Sequence, residues 1–269
     1  MEVRKIKKVI KRAGAFAYST FNKKSGFEKH IPILYYHSIG KSLNREGLRV
    51  DTDEFEKQIK YLVENYIVVH LDEIANLVKS SKNAHKYAAV TFDDGYKDNF
   101  DVAYPILKKY NCPATIFIAS GFVKKEVEFT EGGEKLIPLE LNDIKSMNDD
   151  LVRFEAHTHT HISLNEITLD EVTYELERSV KEIEQMCGRK PTHFAYPNGA
   201  INKDILKRVE DVGFKSAYAT FMSTEVKCED LFCIPRVMID MDDTLKDAVC
   251  KIEGAYNYLG KMQKGKTDL

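Results

Sequence analysis

The chain of 269 residues contains no tryptophan, and no apolar run in it approaches the ~18 residues that a membrane-spanning helix needs. Its five cysteines form no CxxC pair and are odd in number, which argues against a disulfide framework and for a reducing compartment. An export signal is also lacking, because only the short, polar-interrupted stretch AGAFAYSTF follows the basic N-terminus. We therefore expect a cytoplasmic protein.

The composition is that of an ordinary globular protein, with 43% apolar and 30% charged residues. The formal net charge of -2 gives no reason to expect a nucleic-acid partner. That near balance conceals an asymmetry, since residues 1–30 carry nine basic and two acidic side chains, a net charge of +7, and the remainder carries −9. The N-terminal segment therefore differs in character from the rest of the chain.

This basic N-terminal segment has the pattern of an amphipathic helix. Apolar residues at helical spacing are opposed by lysines and arginines: Val3, Ile6, Val9, Ile10, Ala13 and Phe16 against Arg4, Lys5, Lys7, Lys8, Lys11 and Arg12. Such a helix can lie on an anionic membrane, so we expect a peripheral contact through residues 1–24 at the inner membrane face. A solvated arm, or a helix packed on the main domain, fits the same pattern.

From residue 31 onward, short β-branched and aromatic runs alternate with helical patterns. Seven runs are predicted to be strands, over residues 31–37, 87–93, 114–119, 152–157, 192–197, 215–220 and 234–239. Strands that alternate with helices form a parallel sheet, because a parallel pair needs a crossover connection. Since no run has the charged character of an edge strand, we predict a closed α/β barrel rather than an open sheet.

The helices have clear start and stop signals. They are predicted over residues 52–65, 71–81, 97–110, 168–187 and 242–259, and between the cap Asn202 and the stop Gly213. The clearest is 168–187, where Thr168 and Glu171 form a capping box and Gly188 ends the helix. Residues 120–141 are the one long irregular stretch, and a long loop at the carboxyl end of a barrel strand is where such folds carry function.

Two adjacent carboxylates, Asp93 and Asp94, close an apolar strand in the sequence Thr91-Phe92-Asp93-Asp94-Gly95. Their mutual repulsion makes burial without a counter-charge costly. Because side chains alternate along a strand, one carboxylate could hold a metal while the other faces a reacting water. A turn that caps the next helix is the alternative.

Three alternating histidines, His157, His159 and His161, follow another strand. Histidine accounts for only 8 of the 269 residues, so this density favours a metal site. One helical turn or a compact loop would bring His157 and His161 to one cation, whereas an extended strand would pair His159 with either neighbour.

These two motifs resemble the first two motifs of the polysaccharide deacetylase family, the NodB-like carbohydrate esterases of family 4, and the similarity extends over about residues 31–239. The family fold is a distorted (β/α)7 barrel. The resemblance implies that Asp93 is the catalytic base and that Asp94, His157 and His161 bind a divalent metal. This donor set suits zinc and is also compatible with cobalt, nickel or iron.

A third element, Phe194-Ala195-Tyr196-Pro197-Asn198-Gly199, resembles the family's third motif in its FAYPxG form. The backbone N–H of Asn198 is thereby implied as a donor to the oxyanion. Ala195 stands where the family usually has an arginine that orients the base. We expect Arg236 to replace that arginine, with a surface salt bridge as the alternative. His159 takes a variable position of the second motif and is not expected to be a ligand.

The later family motifs are missing. They normally bring an Asp-Trp element and a Leu-x-His whose histidine is the general acid, but the chain has no tryptophan and no histidine after His193. His37 resembles the N-terminal histidine of the poly-N-acetylglucosamine deacetylase branch. It is our candidate to protonate the leaving amine or to stabilise the oxyanion. A structural histidine bonded to the backbone is the alternative.

Together these motifs predict a metal-dependent hydrolase that removes N-acetyl groups from amino sugars of a polysaccharide, oligosaccharide or glycolipid precursor. Residues 1–30 would form the basic arm, residues 31–260 the catalytic barrel and residues 261–269 a basic tail. Two alternatives stay open. The same metal site could act on another C–N bond or an O-acetyl ester, or the chain could be a non-catalytic carbohydrate-binding protein.

Overall fold

The computed structural model describes residues 29–41, 48–80, 84–131, 134–147, 149–227, 229, 231–265, 267 and 269. The predicted amphipathic helix within residues 1–24 lies outside the described residues, so its membrane contact stays a prediction. Among the helices described below, none combines the length and the apolar character that crossing a bilayer requires.

Seven parallel strands close into a barrel. They are β1 (Ile33–Tyr36), β2 (Tyr87–Phe92), β3 (Ala114–Ile118), β4 (Val152–Ala156), β5 (His193–Ala195), β6 (Ser216–Met222) and β7 (Ile234–Met238). Each strand pairs with its neighbour in the chain, and β1 closes the ring by pairing with both β7 and β2. The predicted α/β barrel of (β/α)7 type is therefore confirmed, and all seven predicted strands belong to it.

Helices surround the barrel at nearly the predicted positions. They are α1 (Thr52–Asn65), α2 (Leu71–Lys79), α3 (Tyr104–Lys109), α4 (Ser120–Val123), α5 (Leu141–Met147), α6 (Leu169–Cys187), α7 (Lys203–Val212), α8 (Leu245–Ile252) and α9 (Asn257–Lys264). A π-helical turn, Asn99–Ala103, precedes α3. The predicted capping box of α6 is present, since the Thr168 hydroxyl accepts from the Glu171 N–H and the Glu171 carboxylate accepts from the Thr168 N–H.

Two of these predictions need correction. The single helix predicted over residues 242–259 is two helices, α8 and α9, and the chain turns between them at Gly254, whose φ is +80°. Helix α9 spans residues 257–264 and so lies across the proposed boundary between the barrel, residues 31–260, and the tail, residues 261–269. The segment 120–141 is not irregular throughout, because it contains α4 and an antiparallel pair, Thr130–Glu131 with Glu134–Lys135. These elements are too short for a periodic pattern to show them.

Short pairs of strands flank the barrel. Ile67–Val68 adds to the outside of β2, Ser38–Ile39 pairs with Arg49–Val50, and Lys29–His30 pairs with Glu225–Val226.

Alternation along the strands separates two layers of core. One set of strand residues packs with the surrounding helices, as Leu34, Val90 and Ile116 do. The other set, which includes Ile33 and Phe117, forms a smaller cluster inside the barrel. This inner set also contains buried polar side chains, namely Thr91, Thr115, Glu155, His193, Ser216 and Arg236. Part of the barrel interior is therefore lined by polar side chains.

Candidate active site

The carboxyl ends of the barrel strands surround a cleft of about 680 Å³. Six of the seven predicted site residues line it, namely His37, Asp93, Asp94, His157, His161 and Asn198. They arrive from four different strand ends, because β1, β2, β4 and β5 stop at the same rim of the barrel. The seventh, Arg236 on β7, is fully buried and binds Asp93.

Asp94, His157 and His161 converge on one point. The Asp94 Oδ1 lies 3.4 Å from the His157 Nε2 and 3.2 Å from the His161 Nε2. Asp94 and His157 are buried, whereas His161 is partly open to the cleft. The other Asp94 oxygen, Oδ2, accepts a hydrogen bond of 2.6 Å from the Tyr96 hydroxyl, which leaves Oδ1 to face the imidazoles.

The hydrogen bonds around these three residues favour a cation between them. The His157 Nδ1 lies 2.8 Å from the Ala195 carbonyl oxygen, and since a carbonyl can only accept, this nitrogen carries the proton. A neutral His157 then directs the lone pair of Nε2 at the Asp94 Oδ1, which has no hydrogen-bond partner in the described chain. Two buried acceptors face each other, an arrangement that a divalent cation would satisfy. One carboxylate and two imidazoles are typical zinc ligands.

Burial and neighbouring charge act on these groups in opposite directions. Burial alone would raise the pKa of Asp94, but the imidazoles of His157 and His161 that face its Oδ1 hold that pKa well below its usual range. Burial alone would lower the pKa of His161, and Asp94 raises it above its ordinary value. The Asp94 carboxylate is therefore ionised and ready to bind a cation.

The backbone is strained where the ligands sit. Asp94 has φ +73°, and Thr158 and His161 both have φ +61°, values that side chains other than glycine rarely adopt. Each such residue costs about 1–3 kcal/mol and persists only where the surroundings hold it. The turn at His161 brings it back beside His157, so that the compact-loop alternative is the one observed. Strain of this kind is common at functional sites.

Asp93 is held by Arg236 in a fully buried, two-pronged ion pair. The guanidinium donates from NH1 to Oδ1 and from NH2 to Oδ2, both at 2.7 Å. Burial raises the pKa of Asp93, but Arg236 and His157 outweigh that effect and bring the pKa below its ordinary value. Since Arg236 is 0% exposed, the surface salt bridge left open by the sequence does not apply.

Arg236 is itself fixed from several sides. Its Nε donates to the Ala219 carbonyl oxygen at 3.2 Å, and its NH1 also donates to the Thr91 hydroxyl at 3.2 Å. The guanidinium carbon lies 4.4 Å from the centre of the Tyr35 ring and 5.4 Å from that of Phe117. These contacts, together with the ion pair to Asp93, restrict the conformation of Arg236, so the Asp93 carboxylate has a defined orientation.

His37 follows β1 and lies beside the carboxylate pair. Burial lowers its pKa, and the charges of Asp94 and Asp93 oppose that effect without cancelling it. Its Nδ1 is buried and makes no hydrogen bond to any residue the structure describes. Its main-chain carbonyl accepts a hydrogen bond of 2.8 Å from the Asn99 side chain, which anchors the backbone, and its ring meets that of Tyr35 edge-on with the centroids 5.7 Å apart.

Asn198 lines the cleft, as His37 does. It has φ +56° in the turn Pro197–Gly199, and its side-chain Nδ2 donates to the Ser163 hydroxyl at 3.0 Å. The next residue must be glycine, because a Cβ at Gly199 would lie 2.2 Å from the Thr220 Oγ1. The turn is therefore tightly fixed against β6.

His159 points away from the other two histidines. Its Nδ1 lies 2.9 Å from both the Ser120 hydroxyl and the Glu182 Oε2, and its Nε2 lies 3.3 Å from the Glu126 Oε2. Lys124 bridges the two glutamates at 2.8 and 3.0 Å. These carboxylates are already paired with cationic side chains, so we interpret this cluster as an ion-pair network rather than a second metal site.

Several walls of the cleft were not anticipated from the sequence. Phe129 lies with its ring centre 5.2 Å from that of His161 and stacks on Phe122 at 4.1 Å. On another side, Leu259 and Gln263 of α9 line the cleft. The sequence gives no local sign of either wall. An aromatic residue in a loop, or an amphipathic helix, has the same sequence pattern whether it covers a hydrophobic core or lines a site.

Comparison with known proteins identifies the chain's family. A sequence profile for polysaccharide deacetylase matches residues 80–217, which include the motifs of Asp94, His157 and His161. The chain belongs to the polysaccharide deacetylase family.

Relatives within this family extend the likeness over most of the chain. YxkH of Bacillus subtilis (strain 168), which is named as a member of this family, is 31% identical over 78% of this chain and 71% of its own. The poly-beta-1,6-N-acetyl-D-glucosamine N-deacetylase of Staphylococcus aureus (strain MRSA252) is 28% identical over 82% of this chain and 77% of its own.

Solved structures in the family have the same fold. The Streptococcus pyogenes deacetylase PplD, solved in complex with acetate, superimposes with a TM-score of 0.74 at 25% identity, covering 84% of this chain and 99% of that one. BA0330 from Bacillus anthracis gives a TM-score of 0.69 at 26% identity, over 84% and 70% of the two chains.

Proposed function

We propose that this protein is a metal-dependent deacetylase that hydrolyses N-acetyl groups on amino sugars of a polysaccharide, oligosaccharide or glycolipid precursor. The observation that carries the proposal is the pair of adjacent centres at the cleft floor. Asp94, His157 and His161 form a cation site, and beside it stands the ionised Asp93, held by Arg236.

The chemistry divides among these residues. A divalent cation held by Asp94, His157 and His161 would supply positive charge that polarises the acetyl carbonyl and favours deprotonation of water. Asp93 accepts the proton from the attacking water, because its low pKa keeps it ionised at neutral pH. Arg236 fixes which way the two Asp93 oxygens point.

Two further residues serve the tetrahedral intermediate and its collapse. The Asn198 main-chain N–H donates to the developing oxyanion. His37 passes a proton to the leaving amine, a role supported by its place beside the carboxylates and by its Nδ1, which has no described hydrogen-bond partner. Because its lowered pKa keeps the resting imidazole neutral, the proton it delivers is the one that Asp93 takes from the attacking water. The products are acetate and a free amino sugar.

The proposed substrate is supported by the family and by the cleft. The S. aureus relative acts, by its name, on poly-beta-1,6-N-acetyl-D-glucosamine. The cleft of this chain combines polar donors with aromatic and apolar walls, including Tyr35, Phe129 and Leu259. Mixed walls of this kind suit a sugar, which presents hydroxyl groups at its edges and an apolar face.

Acetate release tests the proposal directly. N-acetylglucosamine oligomers and O-acetylated sugars are incubated with the wild-type chain, with and without chelator, and with Asp93→Asn. We expect release from the N-acetylated oligomers that chelator abolishes and added metal restores, and a loss of about 10²–10⁴-fold or more in Asp93→Asn. Asp101→Asn is a matched control, because Asp101 is exposed and lies eight residues along the same segment.

Other outcomes would point elsewhere. Release from O-acetylated sugars alone would assign the site to ester hydrolysis. Stoichiometric metal without release from any substrate would indicate a different C–N bond or a carbohydrate-binding role. Failure to bind metal after reloading would contradict the proposed triad.

A further inference from the structure

A buried glutamate on α6 holds the loop between the two histidine ligands. The Glu175 Oε2 accepts hydrogen bonds from the main-chain N–H groups of His159 at 2.9 Å and Thr160 at 2.8 Å. Its Oε1 accepts from the Thr160 hydroxyl at 3.0 Å. Both oxygens of this carboxylate thus accept hydrogen bonds from two consecutive loop residues.

The opposite side of the loop is held by α4. The Ser120 N–H donates to the Thr158 carbonyl oxygen at 3.3 Å, and the Gly121 N–H donates to the His159 carbonyl oxygen at 2.8 Å. Glu175 therefore satisfies the N–H groups of the loop while α4 satisfies its carbonyl groups. The segment between His157 and His161 is hydrogen-bonded to both α6 and α4, and these bonds hold its residues with positive φ in place.

The charge of Glu175 has no other evident purpose. Only 7% of Glu175 is exposed, and it forms no ion pair with a described lysine or arginine. A buried carboxylate without a cation is costly unless hydrogen bonds compensate it, and here the described hydrogen bonds to Glu175 all come from the loop between His157 and His161. Glu182, two turns further along α6, contrasts with it, because Lys124 and Arg178 both pair with Glu182.

We propose that Glu175 is a positioning residue that sets the metal affinity of this centre. It does so by holding the strained backbone between His157 and His161 so that both imidazoles face Asp94 before a metal binds. The inference rests on the metal centre of the proposed function and adds a residue outside its three ligands. Without Glu175 the loop would have to be ordered when the metal binds, which weakens binding.

Metal affinity of Glu175→Gln is the direct test. The isosteric amide can no longer offer both oxygens, so we expect zinc and cobalt to bind about 10- to 100-fold more weakly than in the wild-type chain, measured by competition with a chelating dye. At saturating metal we expect kcat and the absorption spectrum of the cobalt form to return close to wild type, because the ligands themselves are intact. Glu177→Gln is the matched control, since Glu177 is exposed on the same helix.

The outcomes separate positioning from simple stability. Equal metal affinity in Glu175→Gln and the wild-type chain would overturn the inference, and so would a lower unfolding temperature of the metal-free protein without any change in metal affinity. If Glu175→Gln does not fold, Thr160→Val removes one of the three hydrogen bonds, and we expect weaker metal binding in the same direction; unchanged affinity there would overturn the inference. A wild-type chain that binds no metal would contradict the proposed function itself.

Discussion

The ionisation of Asp93 depends mainly on Arg236. In a fully buried position, a carboxylate loses the hydration that stabilises its charge, and Arg236 compensates that loss with two hydrogen bonds of 2.7 Å. Removing one member of such a pair leaves the other buried and uncompensated, which costs about 3–5 kcal/mol. The arginine therefore controls both the charge and the direction of the proposed base.

We predict that Arg236→Met lowers kcat/KM by about 10²–10⁴-fold at neutral pH. Arg236 is the largest influence that opposes burial, so without its guanidinium the pKa of Asp93 rises, and more of the base is protonated at a pH where the wild-type base is ionised. The acid limb of the pH–rate profile should move to higher pH, and part of the activity should return as the pH rises.

The pH profile distinguishes this effect from misfolding. Circular dichroism and thermal unfolding establish whether Arg236→Met is folded. A folded variant whose activity falls equally at every pH, with an unmoved acid limb, would contradict the role assigned to Arg236.

At the same scale, the sequence predicted which residues meet but not how they are held. Asp94, His157 and His161 were predicted from the resemblance, and the structure places them together. The direction of His159 could not be read from its spacing, because it depends on the left-handed turns at Thr158 and His161 and on partners from α4 and α6. Glu175 carried no signal at all, since a glutamate on an amphipathic helix ordinarily faces water.

At the scale of elements, strands and capped helices were predictable because their causes are local. Short β-branched and aromatic runs marked the barrel strands, and Thr168 with Glu171 marked the start of α6. Helix α5 and the hairpin within 120–141 were missed, because short elements are held by tertiary contacts rather than by their own pattern. The division between α8 and α9 could have been found from Gly254, whose flexibility suits the turn that the chain makes there.

Helix α9 forms a wall of the cleft and packs closely on β6 at Gly260. A Cβ at Gly260 would lie 2.6 Å from the Met222 carbonyl oxygen, so the helix sits on β6 at a distance that only glycine permits. The Gln263 Oε1 accepts from the Met222 N–H at 2.8 Å, and Gln263 lines the cleft with Leu259. The position of this wall therefore depends on Gly260.

We predict that Gly260→Ala raises KM for the oligosaccharide about tenfold and changes kcat less than about threefold. The added methyl group pushes α9 away from β6 and displaces a substrate-facing wall, while the groups at the cleft floor stay in place. Steady-state kinetics on chitooligosaccharides of increasing length measures the effect.

Gly265→Ala is the control for that substitution. Gly265 lies at the end of the same helix, and its Cβ would only approach the Lys261 carbonyl oxygen to 3.4 Å. A drop in kcat with unchanged KM in Gly260→Ala would show that α9 acts on the chemistry rather than on binding.

At the scale of the whole molecule, the two ends of the barrel carry different groups. The carboxyl ends of the strands hold the proposed chemistry. At the amino ends, Asp72 of α2 pairs with Arg153 of β4, His193 of β5 and Lys215, which precedes β6. One carboxylate thereby connects a helix to three successive strands. Polar groups at this end of a barrel generally serve stability rather than catalysis.

We predict that Asp72→Asn lowers the unfolding temperature at pH 7 by about 2–4 °C and leaves kcat/KM unchanged. The hydrogen bond from His193, together with Lys215, holds the pKa of Asp72 below its ordinary value. A lowered carboxyl pKa stabilises the fold above the unfolded-state pKa of about 3.9, and that contribution is lost as the pH falls through the folded-state pKa. We take the free energy by which the Asp72 charge stabilises the fold as about 1 kcal/mol, because the side chain is 34% exposed and water screens part of the attraction.

The difference in unfolding temperature between the wild-type chain and Asp72→Asn should therefore narrow below about pH 4. Glu73→Gln, which changes an exposed neighbour on α2, should unfold at the wild-type temperature at every pH. A gap that stays constant down to pH 2 would show that Asp72 acts through packing rather than through its charge.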